Sequence, residues 1–105
     1  MGLEKDLPSG EQLVALFRPF LEYLAASDLS PKTIRKHVDN MWALGGEFIR
    51  DLHNDPSLRK KPVDRVLLGM IEYGGPLLYH AGEDQQRSFD STCRKFRRFL
   101  MEAAR

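Results

Sequence analysis

Apolar residues recur at helical spacing in four stretches of this chain, separated by short polar breaks that carry glycine or proline. In the first stretch Leu13, Leu16, Phe17, Phe20, Leu21 and Leu24 fall on one side of a helical wheel and predict a core-facing helix. Ser9 followed by Gln12 reads as a capping box, which places the helix start there and leaves residues 1–8 as a loose arm. Pro19 falls on the polar side of this helix, where its missing N–H predicts a kink or a split. The helix is expected to end near Ser27.

Residues 27–52 predict the central helix. Ser30 suits a cap, Pro31 the first helical position, and Thr33 the third. Ile34, Val38, Met41, Gly45, Phe48, Ile49 and Leu52 form one stripe, with Trp42 on its flank as a core-edge aromatic. Gly45 and Gly46 each cost about 1 kcal/mol relative to alanine in mid-helix, so close approach by another helix is expected there. Lys32, Arg35, Lys36 and Arg50 point away from the stripe.

His53-Asn54-Asp55-Pro56 ends that helix, and residues 56–61 read as a basic connector. Pro62 opens a third helix with Val63, Val66, Leu67, Met70 and Ile71 on its core face, ended by Gly74-Gly75-Pro76. Residues 77–82 fit either a loop or a short turn, from which Leu77 and Leu78 seal the core. The last helix is expected over residues 83–104, with Glu83, Asp84 and Gln85 at the positive end of its dipole. Phe89, Cys93, Phe96, Leu100 and Ala103 fill one narrow sector of it, and Arg87, Arg94, Arg98 and Arg105 a second sector on the opposite side. The first and last helices share a pattern of paired aromatics followed by leucine, FRPFL and FRRFL, which fits two similar core faces in four-helix packing. The whole predicts a single all-α domain over residues 1–105, a bundle of four to five helices.

At 105 residues the chain is long enough for a modest core without a metal or disulfide. One cysteine excludes an internal disulfide framework, and neither a signal-like apolar run nor a stretch of bilayer-spanning length stands in the sequence. The expected setting is the cytoplasm, away from any membrane. A net charge of +1 conceals an uneven distribution. Residues 1–29 and 62–84 each carry −3, whereas residues 30–61 carry +3 and residues 85–105 carry +4. Two basic helices can thus present one basic surface in a nearly neutral chain. Asp39, Glu47 and Asp51 dilute it.

The chemistry inventory is otherwise sparse. His37, His53, His80 and Cys93 lack metal-ligand spacing, and no glycine loop has the residues that cradle a phosphate. Cys93 lies on the apolar stripe and reads as a small hydrophobe. No cofactor and no enzymatic activity are expected.

Residues 20–49, FLEYLAASDLSPKTIRKHVDNMWALGGEFI, resemble the opening of the core-binding domain of tyrosine recombinases and phage integrases. The resemblance rests on Phe20-Leu21-Glu22-Tyr23-Leu24 and then Leu29-Ser30-Pro31-Lys32-Thr33-Ile34. The closing CRKFRRFLMEA is similar to the family's last helix, so the likeness covers residues 11–52 and 89–104. It implies a SAM-like helical bundle that grips duplex DNA mainly at its phosphates, in site-specific recombination or as a mobile-element accessory. By the same resemblance Lys32, Thr33, Arg35 and Lys36 would meet DNA from the second helix, and Arg87, Arg94, Lys95 and Arg98 from the last. The family's catalytic domain, with its arginines, histidine and tyrosine nucleophile, has no counterpart in this chain, which then stands as a fragment of a longer recombinase or as a free-standing relative. The alternative expectation is a small helical domain whose partner is another protein, favoured by the near-neutral charge and by Trp42 and Tyr79 as exposed aromatics.

Overall fold

The four helical stretches fold as α1 (Gly2–Ala25), α2 (Pro31–Asn54), α3 (Val63–Met70) and α4 (Glu83–Ala103). A computed structural model describes the backbone of residues 2–78 and 81–103 and the side chains from residue 10 onward. Among these residues there is no strand, and the architecture is all-α. No described helix is long and apolar enough to cross a membrane.

Two expectations for the first helix give way. α1 begins at Gly2, so the segment expected as an arm is helical and Ser9 lies inside the helix instead of capping it. Leu3, Glu4 and Lys5 are good helix formers, and the capping signal at Ser9 is overridden by continuation of the helix on both sides. Pro19 neither ends nor splits α1. It lies on the exposed side, as does Ala15, whose carbonyl loses its helical partner there and can be met by water.

α2 starts as its sequence predicts. Ser30 is the N-cap: its Oγ accepts from the Thr33 N–H at 3.2 Å and donates to Thr33 Oγ1 at 2.9 Å, with Pro31 opening the first turn. The helix runs to Asn54, where the Asp55 N–H closes onto the Asp51 carbonyl at 2.8 Å. The basic connector is itself ordered as a 3-10 helix, Pro56–Lys60. Asp55 Oδ1 accepts from both the N–H and the hydroxyl of Ser57, at 3.2 and 2.6 Å, which turns the chain into that element.

The core takes Leu13, Phe17, Phe20 and Leu24 from α1, Met41, Leu44, Phe48 and Leu52 from α2, and Phe89, Cys93 and Phe96 from α4. Val63, Leu67 and Ile71 close it from the α3 region. Leu44 was outside the predicted stripe yet is fully buried, because it stands one turn from both Met41 and Phe48. Ala103, placed on the core side by its spacing, is exposed.

The paired aromatics of the two similar motifs meet each other. Phe17 and Phe96 pack edge to face with ring centres 5.3 Å apart, Phe20 lies 5.1 Å from Phe96 and 5.4 Å from Phe99, and Tyr23 lies 5.3 Å from Phe99. Residue order in these pairs makes α1 and α4 parallel, while α2 runs antiparallel to both. Ring geometry adds about 0.5–1.5 kcal/mol per pair, less than the roughly 1.5–3 kcal/mol from burying each phenylalanine. Burial therefore dominates, and the edge contacts select the register.

Gly45 explains one of the two mid-helix glycines: a Cβ there would meet Leu13 Cδ2 and Phe17 Cε2, each at 3.6 Å. Gly46 faces open space. Beyond α3 the chain is strapped to α4 by side chains. Asp90 Oδ1 accepts from the Gly75 N–H at 2.9 Å, while Gln86 accepts from the Leu78 N–H at 2.7 Å and donates to the Pro76 carbonyl at 3.1 Å. The strap presses Gly75 against Phe89 and Cys93. Leu78 joins the core edge, whereas Leu77, expected beside it, is exposed.

Candidate nucleic-acid interface

α2 and α4 meet through a polar seam. His37 Nδ1 lies 2.7 Å from Thr92 Oγ1, and Asn40 Nδ2 donates to Thr92 Oγ1 at 2.9 Å, to Ser88 Oγ at 3.1 Å and to the Ser88 carbonyl at 3.2 Å. The apolar periodicity points to none of these four as a contact between helices. Their signal was present: Ser88, Thr92 and Lys95 make a polar line at helical spacing beside the apolar stripe, and His37 and Asn40 make its counterpart on α2.

The seam brings the two basic segments together. The imidazole of His37 titrates below its ordinary 6.5, first through burial and then through the positive charges of Lys95 and Lys36. Charge from α4 and charge from α2 therefore converge on one residue, with Lys36 exposed and Lys95 half-buried beside the seam. Arg98 continues the surface from Lys95, and the two share the lining of a pocket of about 410 Å³ with Tyr23 and Phe99. Lys32 is exposed one turn before Lys36 on α2.

Other expected members are placed differently. Arg35 stands two residues from His37, about 200° around the helix, and so faces away from α4. Thr33 is half-buried and occupied at the cap by Ser30. Arg94 is exposed two residues beyond Thr92, about 200° around α4 from the seam. Arg87 is exposed and lies 3.5 Å from an exposed Asp84 carboxylate, a surface pair of at most about 1 kcal/mol that leaves the guanidinium open to other anions. Arg105 lies outside the described residues, as do Tyr79 and His80.

Two of the three acids that dilute the central helix stand away from its basic start. Glu47 is 3.6 Å from Arg50, and Asp51 lines a pocket of about 620 Å³ beside Lys61 and Arg65. Of the three, Asp39 is exposed near the α2 lysines, and on α4 exposed Glu102 lines the pocket with Lys95 and Arg98. Among the described residues no three histidine, cysteine or acidic side chains stand together as a metal site. The Cys93 thiol is pushed up to about 12 by burial and by Asp90, against a smaller lowering by Arg94.

Trp42 departs from its expected place at the core edge and is 64% exposed. It borders a groove of about 330 Å³ between α1 and α2, floored by Phe17, Leu21 and Met41. No family model, curated protein or solved structure matches the chain.

Proposed function

We propose that this chain is a DNA-binding module that grips duplex DNA mainly by its phosphates, as its resemblance to integrase core-binding domains implies. The observation that carries the reading is the packing of α2 on α4 through His37–Thr92 and Asn40–Ser88, which sets Lys36 and Lys95 beside one seam. Lys32 and Arg98 extend that surface along each helix, and Arg94 and Arg87 add charge around α4. Side chains of this type bind the backbone as point charges or forks and read little sequence. The module then supplies position and affinity in site-specific recombination or as a mobile-element accessory.

A second reading, a helical protein-interaction domain, is favoured by exposed Trp42 beside its groove. The two readings use opposite flanks of α2. They are separated by titrating a labelled random-sequence duplex at about 50 and about 200 mM salt, since phosphate binding releases counterions and weakens steeply over that range. The DNA reading expects saturable binding at low salt that is lost with Lys36→Ala plus Lys95→Ala, the two residues beside the seam. Absence of low-salt binding, or binding indifferent to that double substitution, sinks it.

A further inference from the structure

We infer that the pocket between α1 and α4 takes one unpaired nucleotide, its base laid on Tyr23, its phosphate on Lys95 and Arg98, and the donor edge of its base on Glu102. The pocket holds about 410 Å³, within the range of small-ligand sites of about 300–1,000 Å³. Tyr23 packs on Phe99 with ring centres 5.3 Å apart and is still 51% exposed. A fixed aromatic ring with an open side is a stacking platform for an unpaired base, whereas a base paired inside a duplex cannot reach it.

The charges around that ring select the occupant. Lys95, Arg98 and Glu102 all line the pocket and fall within about 60° of one another on α4. Among the described residues no ion pair joins Glu102 to either cation. Two cations one turn apart suit a phosphate. Glu102 stands two turns beyond Lys95, about 10 Å along the helix, and an ionised carboxylate there can only accept hydrogen bonds. A plain phosphorylated aromatic ring would leave it facing no donor. A nucleobase with N–H groups on its far edge uses it. Guanine, with a ring N–H beside its amino group, offers two donors side by side to the two carboxylate oxygens and is the preferred base. The inference rests on the DNA reading for the strand that supplies the nucleotide, since Lys95 and Arg98 belong to both. It makes a duplex with an unpaired end a better target than a blunt one.

Low-salt anisotropy titrations test it with a blunt duplex and with the same duplex carrying one unpaired guanine or thymine nucleotide at its end, alongside calorimetry with free deoxyguanosine monophosphate. The guanine overhang is expected to bind about tenfold tighter than the blunt duplex and more tightly than the thymine overhang. Tyr23→Leu, which keeps an apolar contact with Phe99, should lose that gain with helicity and blunt-duplex binding unchanged. Glu102→Gln should lose the preference for guanine and keep a gain over the blunt duplex. Equal binding of blunt and overhanging duplexes overturns the inference and leaves the DNA reading standing, and a gain that survives Tyr23→Leu or shows no preference for guanine overturns it as well. Absence of binding to every duplex overturns the DNA reading. Tyr23-dependent binding of the free nucleotide then upholds the pocket with that source, and a free nucleotide left unbound overturns both. Phenyl phosphate bound as well as the nucleotide overturns the assignment and gives the pocket to a phosphorylated aromatic side chain.

Discussion

His37 Nδ1 and Thr92 Oγ1 lie 2.7 Å apart across the packing of α2 on α4, and the threonine is fully buried. Thr92 can donate its proton to the Ser88 carbonyl, 3.3 Å away, while Asn40 donates to its oxygen at 2.9 Å. Its second lone pair then accepts from His37, or its proton turns to the ring instead. One hydroxyl thus joins three residues on two helices, beside the lysines on which the functional proposal rests.

That position makes stability pH-dependent in a defined direction. Burial, Lys95 and Lys36 hold His37 below 6.5, so the unfolded chain takes up a proton that the folded one resists. Its contribution is complete above the unfolded value and is lost as pH falls from 6.5 toward the folded one. Urea midpoints measured at neutral and at mildly acidic pH should fall with acidification, and His37→Gln should show a smaller fall. Equal falls in both proteins would remove His37 as the cause.

Thr92→Val keeps the side-chain shape and deletes the hydroxyl. Asn40 and His37 then lose a shared buried partner, which should cost about 1–3 kcal/mol. Chemical denaturation measures it, and Thr92→Ser should recover most of the loss. A neutral Thr92→Val would mean that the seam is wetter than its geometry indicates.

Two glycine substitutions should move stability in opposite directions. A Cβ at Gly75 meets Cys93 Sγ at 2.8 Å and the Phe89 ring more closely still, so Gly75→Ala should destabilise by roughly 1–3 kcal/mol. Gly46 has nothing within 4 Å and sits in mid-helix, so Gly46→Ala should stabilise by roughly 0.5–1 kcal/mol. Thermal melts of the two variants side by side are decisive.

Cys93 is fully buried and its thiol is pushed up to about 12, so little thiolate forms near neutral pH. Thiol reagents should modify it only after unfolding. Rapid labelling of the native protein would show that the strap over Phe89 opens readily.

On the functional face, Lys36→Ala and Arg35→Ala should part company although the residues are neighbours in sequence. Lys36 adjoins the seam and Arg35 faces away from it. Loss of one phosphate contact should lower the salt slope of DNA binding by about 0.9 for Lys36→Ala and leave it nearly unchanged for Arg35→Ala. Equal effects would break the link between the seam and binding.

Much of this fold was legible because helical packing writes itself as a period. Ser30 and Pro31 start α2 where the cap chemistry requires, and the predicted core stripes of α1 and α3 point inward. The likeness of FRPFL to FRRFL was visible as a pattern. That Phe17 and Phe20 pack on Phe96 and Phe99 was not, because a stripe marks a face and does not name its neighbour. Seven residues upstream of Ser9 were misread because a local capping signal competes with helix propensity on both sides of it.

The sequence by itself determined the four main helical stretches, most of each apolar face and which two segments are basic, since these follow from side-chain type and spacing along one helix. Only the tertiary structure decided that the basic segments adjoin, that Arg35 stands apart from Lys36's neighbours on α4, and that Trp42 borders an open groove. Those facts depend on the rotation and direction of one helix against another. Contacts between residues more than fifty positions apart, such as His37 with Thr92, set that geometry, and no local period records it.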